Sequence, residues 1–402
     1  MKTAPLIRPS RRIGRLWSIN LPKIEETCEV TINGKVFRDW DSVTATASSN
    51  PVVRMVTLSV TEKVGTNGAV GQSLQIKPGD SATVKLAGQL FASGHIHERQ
   101  VAYDANNHSV RVTFASQVQK AVRQSIPLKD GEFKNYSFQA IANKVLAPVG
   151  VVLKALNPPA GWEKPFKYVN IEPDETPFSL LSRLSKYRGV WLRDDKNGGL
   201  VAQGNADKKP AAEFVEGRNI LSASCLAQNA PDTTVEVTGQ QRGDDNSTPA
   251  KNRGAFSGKA DSSGSNFTTY KRTQADIPAD RDDLKQAAGY CQLLSLSQQV
   301  TVRIVYQGWL LSSGNLPEVF DQISIDSPML LLKTSDLQIA EVTFTQDQAG
   351  TRTTLIAQKW LTSPFGVQGA APEQTDAQKA TSTVITPGAP IVTGPGGLAG
   401  HI

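Results

Sequence analysis

The spacing of apolar residues changes period along this chain, and that change restricts the fold more than any single motif. From residue 28 to about 124 the segments CEVTINGKVF, SVTATA, VVRMVTLSV, SATVKLAG, QLFASGHIHERQVAYD and HSVRVTFASQ carry strand-type patterning. A period of two suits strands with one buried face. Clusters of Gly, Pro, Asn and Asp separate them, and Asn33-Gly34 is a strong hairpin signal. Six or seven short strands with few helical signals predict a small antiparallel barrel or sandwich.

Between residues 133 and 203 the period becomes helical. Phe138, Ile141, Ala142, Val145, Leu146 and Val149 share one face, and Gly150 ends that helix. VVLKAL then reads as a strand. A second helix opens at Thr176-Pro177, a hydroxyl N-cap with proline at the first helical position. Phe178, Leu181, Leu184 and Arg188 lie on or beside its face, Leu180 and Tyr187 widen it, and Gly189 is the expected stop. VWLRDDKNGGLVAQ predicts a hairpin across Asn197-Gly198-Gly199. The segment reads as a compact α+β insert.

Residues 217–242 return to strand patterning, and the polar stretch 242–266 reads as a long loop. A helix is expected over 280–297, with Leu284, Ala287, Ala288, Cys291 and Leu294 on one face. Residues 299–361 are strand-like again. IKPGDSATVKLAGQLFASGHIHER and NLPEVFDQISIDSPMLLLKTSDLQIAEVTFTQD form a coarse internal echo. The simplest reading is two small barrels separated by inserted domains.

The charge is unevenly placed. Lys2, Arg8, Arg11, Arg12, Arg15 and Lys23 give residues 1–23 a charge of +6 with no acid, which equals the +6 of the whole 402-residue chain. The remainder is therefore balanced, unlike a domain that grips nucleic acid across a basic face. Pro5, Pro9 and the charges break any signal-peptide core. No run of apolar residues is long enough to span a membrane as a helix. Residues 363–402 are rich in Gly and Pro and cannot build a core alone. Cys28, Cys225 and Cys291 lie far apart, which argues against a disulfide framework.

The search for chemistry returns little. The sequence holds no phosphate-binding loop, no GxSxG and no HExxH. His95 and His97 would share a strand face, but two histidines without further ligands read as polar surface. Glu172, Asp174 and Glu175 precede a helix and read as dipole-stabilising acids. Asp194-Asp195, Asp244-Asp245 and Asp282-Asp283 read as turn or helix-start acids, and Cys225 and Cys291 as core. We therefore expect no catalytic residue, no metal site and no cofactor.

The order of segments resembles the baseplate hub family of Mu-like contractile-tailed phages, and more distantly the late control protein D family and the hub part of type VI secretion spikes. The carriers are VTINGKVFRDWDSV, VTLSVTEK, IKPGDSATVKLAGQLFASGHI, NIEPDETPFSLLSRLSKYRGVWLRDDKNGGLVA, GRNILSAS with VEVTGQ, and the long run GWLLSSGNLPEVFDQISIDSPMLLLKTSDLQIAEVTFTQDQAGTRTTLIA. Together they cover residues 28 to about 362. The resemblance implies an α+β, mostly β fold: two tail-tube-like antiparallel barrels with an inserted α+β domain.

Expected boundaries are a basic arm 1–27, a first barrel 28–128 completed by 217–242, an insert 129–216, a linker loop and helix 243–298, a second barrel 299–362 and a Gly/Pro-rich arm 363–402. The resemblance further implies a homotrimeric adaptor between the tail tube protein and the central spike protein, bordering a channel that passes DNA. Other baseplate proteins and the tape measure protein are further expected partners. A hub of a type VI-like injection system is an alternative. It is disfavoured because such spikes continue into an OB-fold and β-helix, and only a short tail follows here. A tail-associated hydrolase is disfavoured by the missing acid pair. The arms are expected to lie on neighbours, through Arg8, Arg11, Arg12, Arg15 and Trp17 at one end and Pro387, Pro390, Ile391, Val392, Pro395 and Leu398 at the other.

Overall fold

The computed structural model describes residues 26–61, 76–103, 108–127, 131–204, 209–229, 231–240, 253–261 and 268–359. Within these the protein is mostly β, with four α-helices: α1 (Val118–Arg123), α2 (Phe138–Leu146), α3 (Pro177–Ser185) and α4 (Arg281–Ser297). Residues 1–25 and 360–402, with every residue expected to carry an interface in the arms, lie outside the described residues.

The described residues of 28–116 form seven strands. Asn33 and Gly34 both take positive φ (49° and 81°), so the hairpin joining Cys28–Ile32 to Lys35–Phe37 closes with a two-residue turn of the expected kind. The strands hydrogen-bond in the order Ser42–Ser48, Met55–Thr61, His108–Ser116, Gln89–Tyr103, Ser81–Leu86, Cys28–Ile32, Lys35–Phe37. Val30, Val43, Ala45, Val56, Leu58, Val84, Val112 and Phe114 alternate into one core and are fully or almost fully buried.

The second half repeats five places of this order in the same directions and adds a sixth strand in parallel where Cys28–Ile32 is antiparallel. Ser222–Ala227, Val300–Gln307, Gly350–Lys359, Leu332–Asp347, Gln322–Ser327 and Ala212–Val215 are neighbours in that sequence. The two echoing segments thus occupy matching places, Ser81–Leu86 with Gln89–Tyr103 and Gln322–Ser327 with Leu332–Asp347. Leu332–Asp347 also pairs with Ser42–Ser48, so both halves share one thirteen-stranded sheet and one apolar core.

A second core lies in the insert. Ser137 caps α2 by accepting the Ala140 N–H at 3.3 Å, and Pro148 accompanies a change to a 3-10 turn that Gly150 (φ 70°) ends. Thr176 caps α3 by accepting the Ser179 N–H at 3.1 Å, with Pro177 behind it as expected. Gly189 leaves with φ 59°. The hairpin Trp191–Asp194/Leu200–Gln203 forms across Asn197-Gly198-Gly199, and Leu153–Leu156 joins it in parallel. Phe178, expected on the apolar face of α3, is only partly buried, because Leu180, Leu181, Leu184 and Tyr187 turn inward.

Three expectations need correction. The polar stretch before α4 is not a loop throughout: Arg253–Asp261 and Tyr270–Gln274 are strands flanking Thr234–Gln240 in a separate three-stranded sheet. A polar strand forms there because its neighbour supplies the backbone partners, while Val235 and Val237 bury against Leu284, Ala287 and Ala288 of α4. Second, the strands of 217–242 do not pair with the first half: Ser222–Ala227 pairs with Val300–Gln307, and Thr234–Gln240 with the separate sheet. Third, Leu294 is exposed and Cys291 half-buried, since the inward face of α4 closes with Gln292 and Ser295 instead.

Candidate functional site

The two halves and the insert meet around one buried arginine. Arg54 enters from the apolar run Val52-Val53-Arg54-Met55-Val56 and is 2% exposed. Its backbone N–H donates to Asp194 Oδ2 at 2.8 Å, at the end of the insert's hairpin strand. Its guanidinium donates to Phe91 O at 2.8 Å, to Asp194 O at 3.3 Å, and to the Glu318 carboxylate of the second half. The guanidinium also stands 5.2 Å from the Phe91 ring centre. Ser116 donates its hydroxyl to Asp194 and its N–H to Arg54 O at 2.9 Å. One residue therefore holds two other parts of the chain, the Glu318 carboxylate through its guanidinium and the Asp194 carboxylate through its backbone N–H.

The electrostatics follow from burial. Removal from water pushes the Asp194 carboxyl up to about 6, against the opposing pull of Arg54 and the hydrogen bond from Ser116. Asp321, whose Oδ2 accepts the Glu318 N–H at 2.9 Å, is likewise pushed by burial to about 6. Asp194 was expected to be a turn acid; its neighbour Asp195 fits that role, pairing with Lys154 at 2.9 Å.

A second pin fastens α4 to the insert. Arg188, 1% exposed, donates to Asp283 Oδ1 at 2.9 Å and to the carbonyls of Lys164 and Tyr187, and stacks 3.8 Å from the Phe166 ring centre. Lys164 reaches Asp280 at 2.6 Å, and Asp280 also caps α4 by accepting the Asp283 N–H at 3.0 Å. Trp191 and Tyr290 stack at 4.0 Å beside a cavity of about 250 Å³, lined also by Ser49, Phe178, Leu192 and Gln338.

The remaining chemical candidates disperse. Glu175 is buried and held by Arg183 at 2.9 Å, and it accepts the Glu172 N–H at 3.0 Å; it serves as a structural anion. His95 and His97 flank Ile96 where the strand bulges, and burial lowers the His95 pKa. Among the described residues no three His, Cys, Asp or Glu side chains gather as a metal set. Burial pushes the Cys28 thiol up to about 12, away from thiolate chemistry. Among the described residues no helix is long and apolar enough to cross a membrane.

The Arg54 cluster was missed in the sequence. Its one local signal is an arginine flanked by valines and methionine in a strand-like run; its partners lie 140 and 264 residues away. The site thus joins domains.

This architecture is similar to that of solved phage tail proteins. A model for the Mu phage baseplate assembly protein GpP-like N-terminal domain matches residues 27–114, and one for the second domain of baseplate hub protein gp44-like proteins matches residues 121–204. Baseplate hub protein gp44 of Escherichia phage Mu is 25% identical over 340 residues, covering 82% of this chain and 87% of that protein. The 43 kDa tail protein of prophage MuSo2 from Shewanella oneidensis superposes with a TM-score of 0.70 at 20% identity, covering 83% of this chain and 98% of the other. An Escherichia coli protein has a TM-score of 0.52 at 11% identity, covering 85% and 79% of the two chains; it is described as a type VI secretion component structurally similar to the T4 bacteriophage tail proteins gp27 and gp5. Over most of its length the chain is similar to the Mu gp44-like baseplate hub proteins, and these matches support a baseplate hub protein of a Mu-like phage tail.

Proposed function

We propose that three copies of this hub form a ring that adapts the sixfold tail tube to the threefold central spike. The observation that carries this reading is the repeated strand order of the two halves, side by side in one sheet. Three chains then offer six similar units to the tube above and three identical faces to the spike below. In this reading each half curls into a tube-like barrel and the ring borders the DNA channel.

The hub would act without catalysis or cofactor. Its balanced charge beyond residue 23 favours passage of DNA without tight phosphate contacts. The tape measure protein and other baseplate proteins are neighbours in this reading. Assembly takes place in the host cytoplasm. Residues 1–23 and 364–402 lie on adjoining subunits or partners, where Arg8, Arg11, Arg12 and Arg15 meet acidic groups and Trp17 anchors. Pro387, Pro390, Ile391, Val392, Pro395 and Leu398 supply the opposite arm's contacts. The likeness to the Escherichia coli type VI component supports a second reading, a hub in a related injection machine.

Native mass measurement of the full chain and averaged images of purified tails test the proposal. Three copies around the tail axis are expected; a single ring of six copies, or one copy, contradicts it.

A further inference from the structure

The cavity beside the Trp191–Tyr290 stack lies where four parts of the chain meet. Ser49 comes from the first half, Phe178 and Trp191 from the insert, Leu294 from α4, and Gln338 and Gln358 from the second half. Its volume, about 250 Å³, is on the scale of one large aromatic residue. Phe178 is only half-buried and Leu294 is 45% exposed, so the wall presents apolar surface that is still open among the described residues.

The chain itself leads to this opening. Gln358 stands opposite Gln338 in the ladder of Gly350–Lys359 with Leu332–Asp347, and both line the cavity, while Ala357 turns into the main core. The last pair of that ladder is Leu337 with Lys359. Side chains two apart along a strand share a face. One further step in the same register would set residue 360 opposite Asp336, on the face of Gln358 and therefore toward the cavity. Residue 360 is a tryptophan, and Lys359, where the described strand ends, already lies on the cavity wall.

We propose that Trp360 docks in this cavity of its own chain and anchors the start of the C-terminal arm there. Its own chain is the occupant because Lys359 stands on the rim, so no linker has to be ordered to bring the next side chain in. An indole buries a large apolar area and carries one polar handle. Phe178 and Leu294 supply the apolar contact, and the hydroxyls of Ser49 and Ser182 in the lining are acceptors for the indole N–H. The anchor ties the second half to the insert and to α4, parts that Arg54 and Arg188 otherwise fasten by charge. It also fixes the point from which the arm departs, beside the insert and α4. The inference does not rest on the trimeric reading.

Fluorine NMR of the full chain labelled with 5-fluorotryptophan tests this. The resonance lost in W360F is that of Trp360. A soluble gadolinium chelate should leave it sharp in the parent, and equally so on dilution. L294E, a change at an exposed rim position, should let the chelate broaden it strongly. Far-UV circular dichroism verifies that each variant folds. Thermal unfolding gives a second measurement: W360A should lower the melting temperature of the parent, and lower that of L294E by much less, because both changes remove one contact. A Trp360 resonance broadened in the parent, or shielded equally with and without L294E, overturns the anchor. So do fully additive losses in melting temperature. Shielding that disappears on dilution together with a multimer assigns the cavity to a second copy and overturns the proposal as well.

Discussion

At the residue scale, the Arg54 cluster converts a local oddity into a fastening between distant parts of the chain. Breaking a buried ion pair leaves its partners uncompensated, which typically costs 3–5 kcal/mol. Glu318 keeps a side-chain exposure of 28%, so the lower end applies. R54M should destabilise the folded chain by about 3 kcal/mol, read from denaturant unfolding; a loss within experimental error would show the cluster is incidental. Asp194 supplies a pH signature. Its carboxyl ionises near 6 when folded against 3.8 ordinarily, so the folded state binds more protons across that window. Its contribution is full below about pH 4 and is lost as pH rises through 6, and Asp321 acts with the same sign. The difference between those values corresponds to about 3 kcal/mol for Asp194. Melting temperatures between pH 4 and 6 should fall with a shallower slope in D194N than in the parent; equal slopes would contradict the assignment.

At the element scale, α4 can touch the strand Arg253–Asp261 only because residue 258 is glycine. A Cβ there would stand 2.1 Å from Lys285 N and 2.4 Å from Leu284 O, both backbone atoms that cannot swing aside. G258A should force the helix off the sheet and cost about 2 kcal/mol, in the range of overpacked cores. Thermal unfolding checks it, and a neutral result would mean that α4 has room to shift. The cap of α3 at Thr176 is local and was readable from residue type and the apolar run behind it, whereas the caps at Ser137 and Asp280 were not read there. The strands flanking Thr234–Gln240 were not, because their sequences are polar and their stabilising partners are backbone groups of other segments.

At the scale of the whole molecule, the shared sheet makes the two halves one unit, with Leu332–Asp347 bonded to strands of both. Glu26 strengthens the link, accepting the Trp309 N–H at 2.8 Å and a hydrogen bond from Thr351. Both apolar cores among the described residues are built from residues 28–357. Deleting residues 364–402 should leave the melting temperature of the isolated protein nearly unchanged and weaken attachment of the spike or of a neighbouring subunit. Tails assembled at normal yield and infectivity from the truncated chain would show that the segment is dispensable.

The sequence by itself determined the features whose signals are local. The helix faces of Phe138–Leu146 and Pro177–Ser185 repeat within a few residues, and the Asn33-Gly34 and Asn197-Gly198-Gly199 turns need only backbone freedom at those positions. The segment order also carried the likeness to the hub family. Only the tertiary structure decided which strands are neighbours, that Ser42–Ser48 joins Glu341–Gln346, and that Arg54 meets Asp194 and Glu318. Strand pairing is made by backbone groups that every residue possesses, so its choice among distant partners leaves no local mark. A buried charge becomes tolerable only once remote segments bring its counter-charges to it.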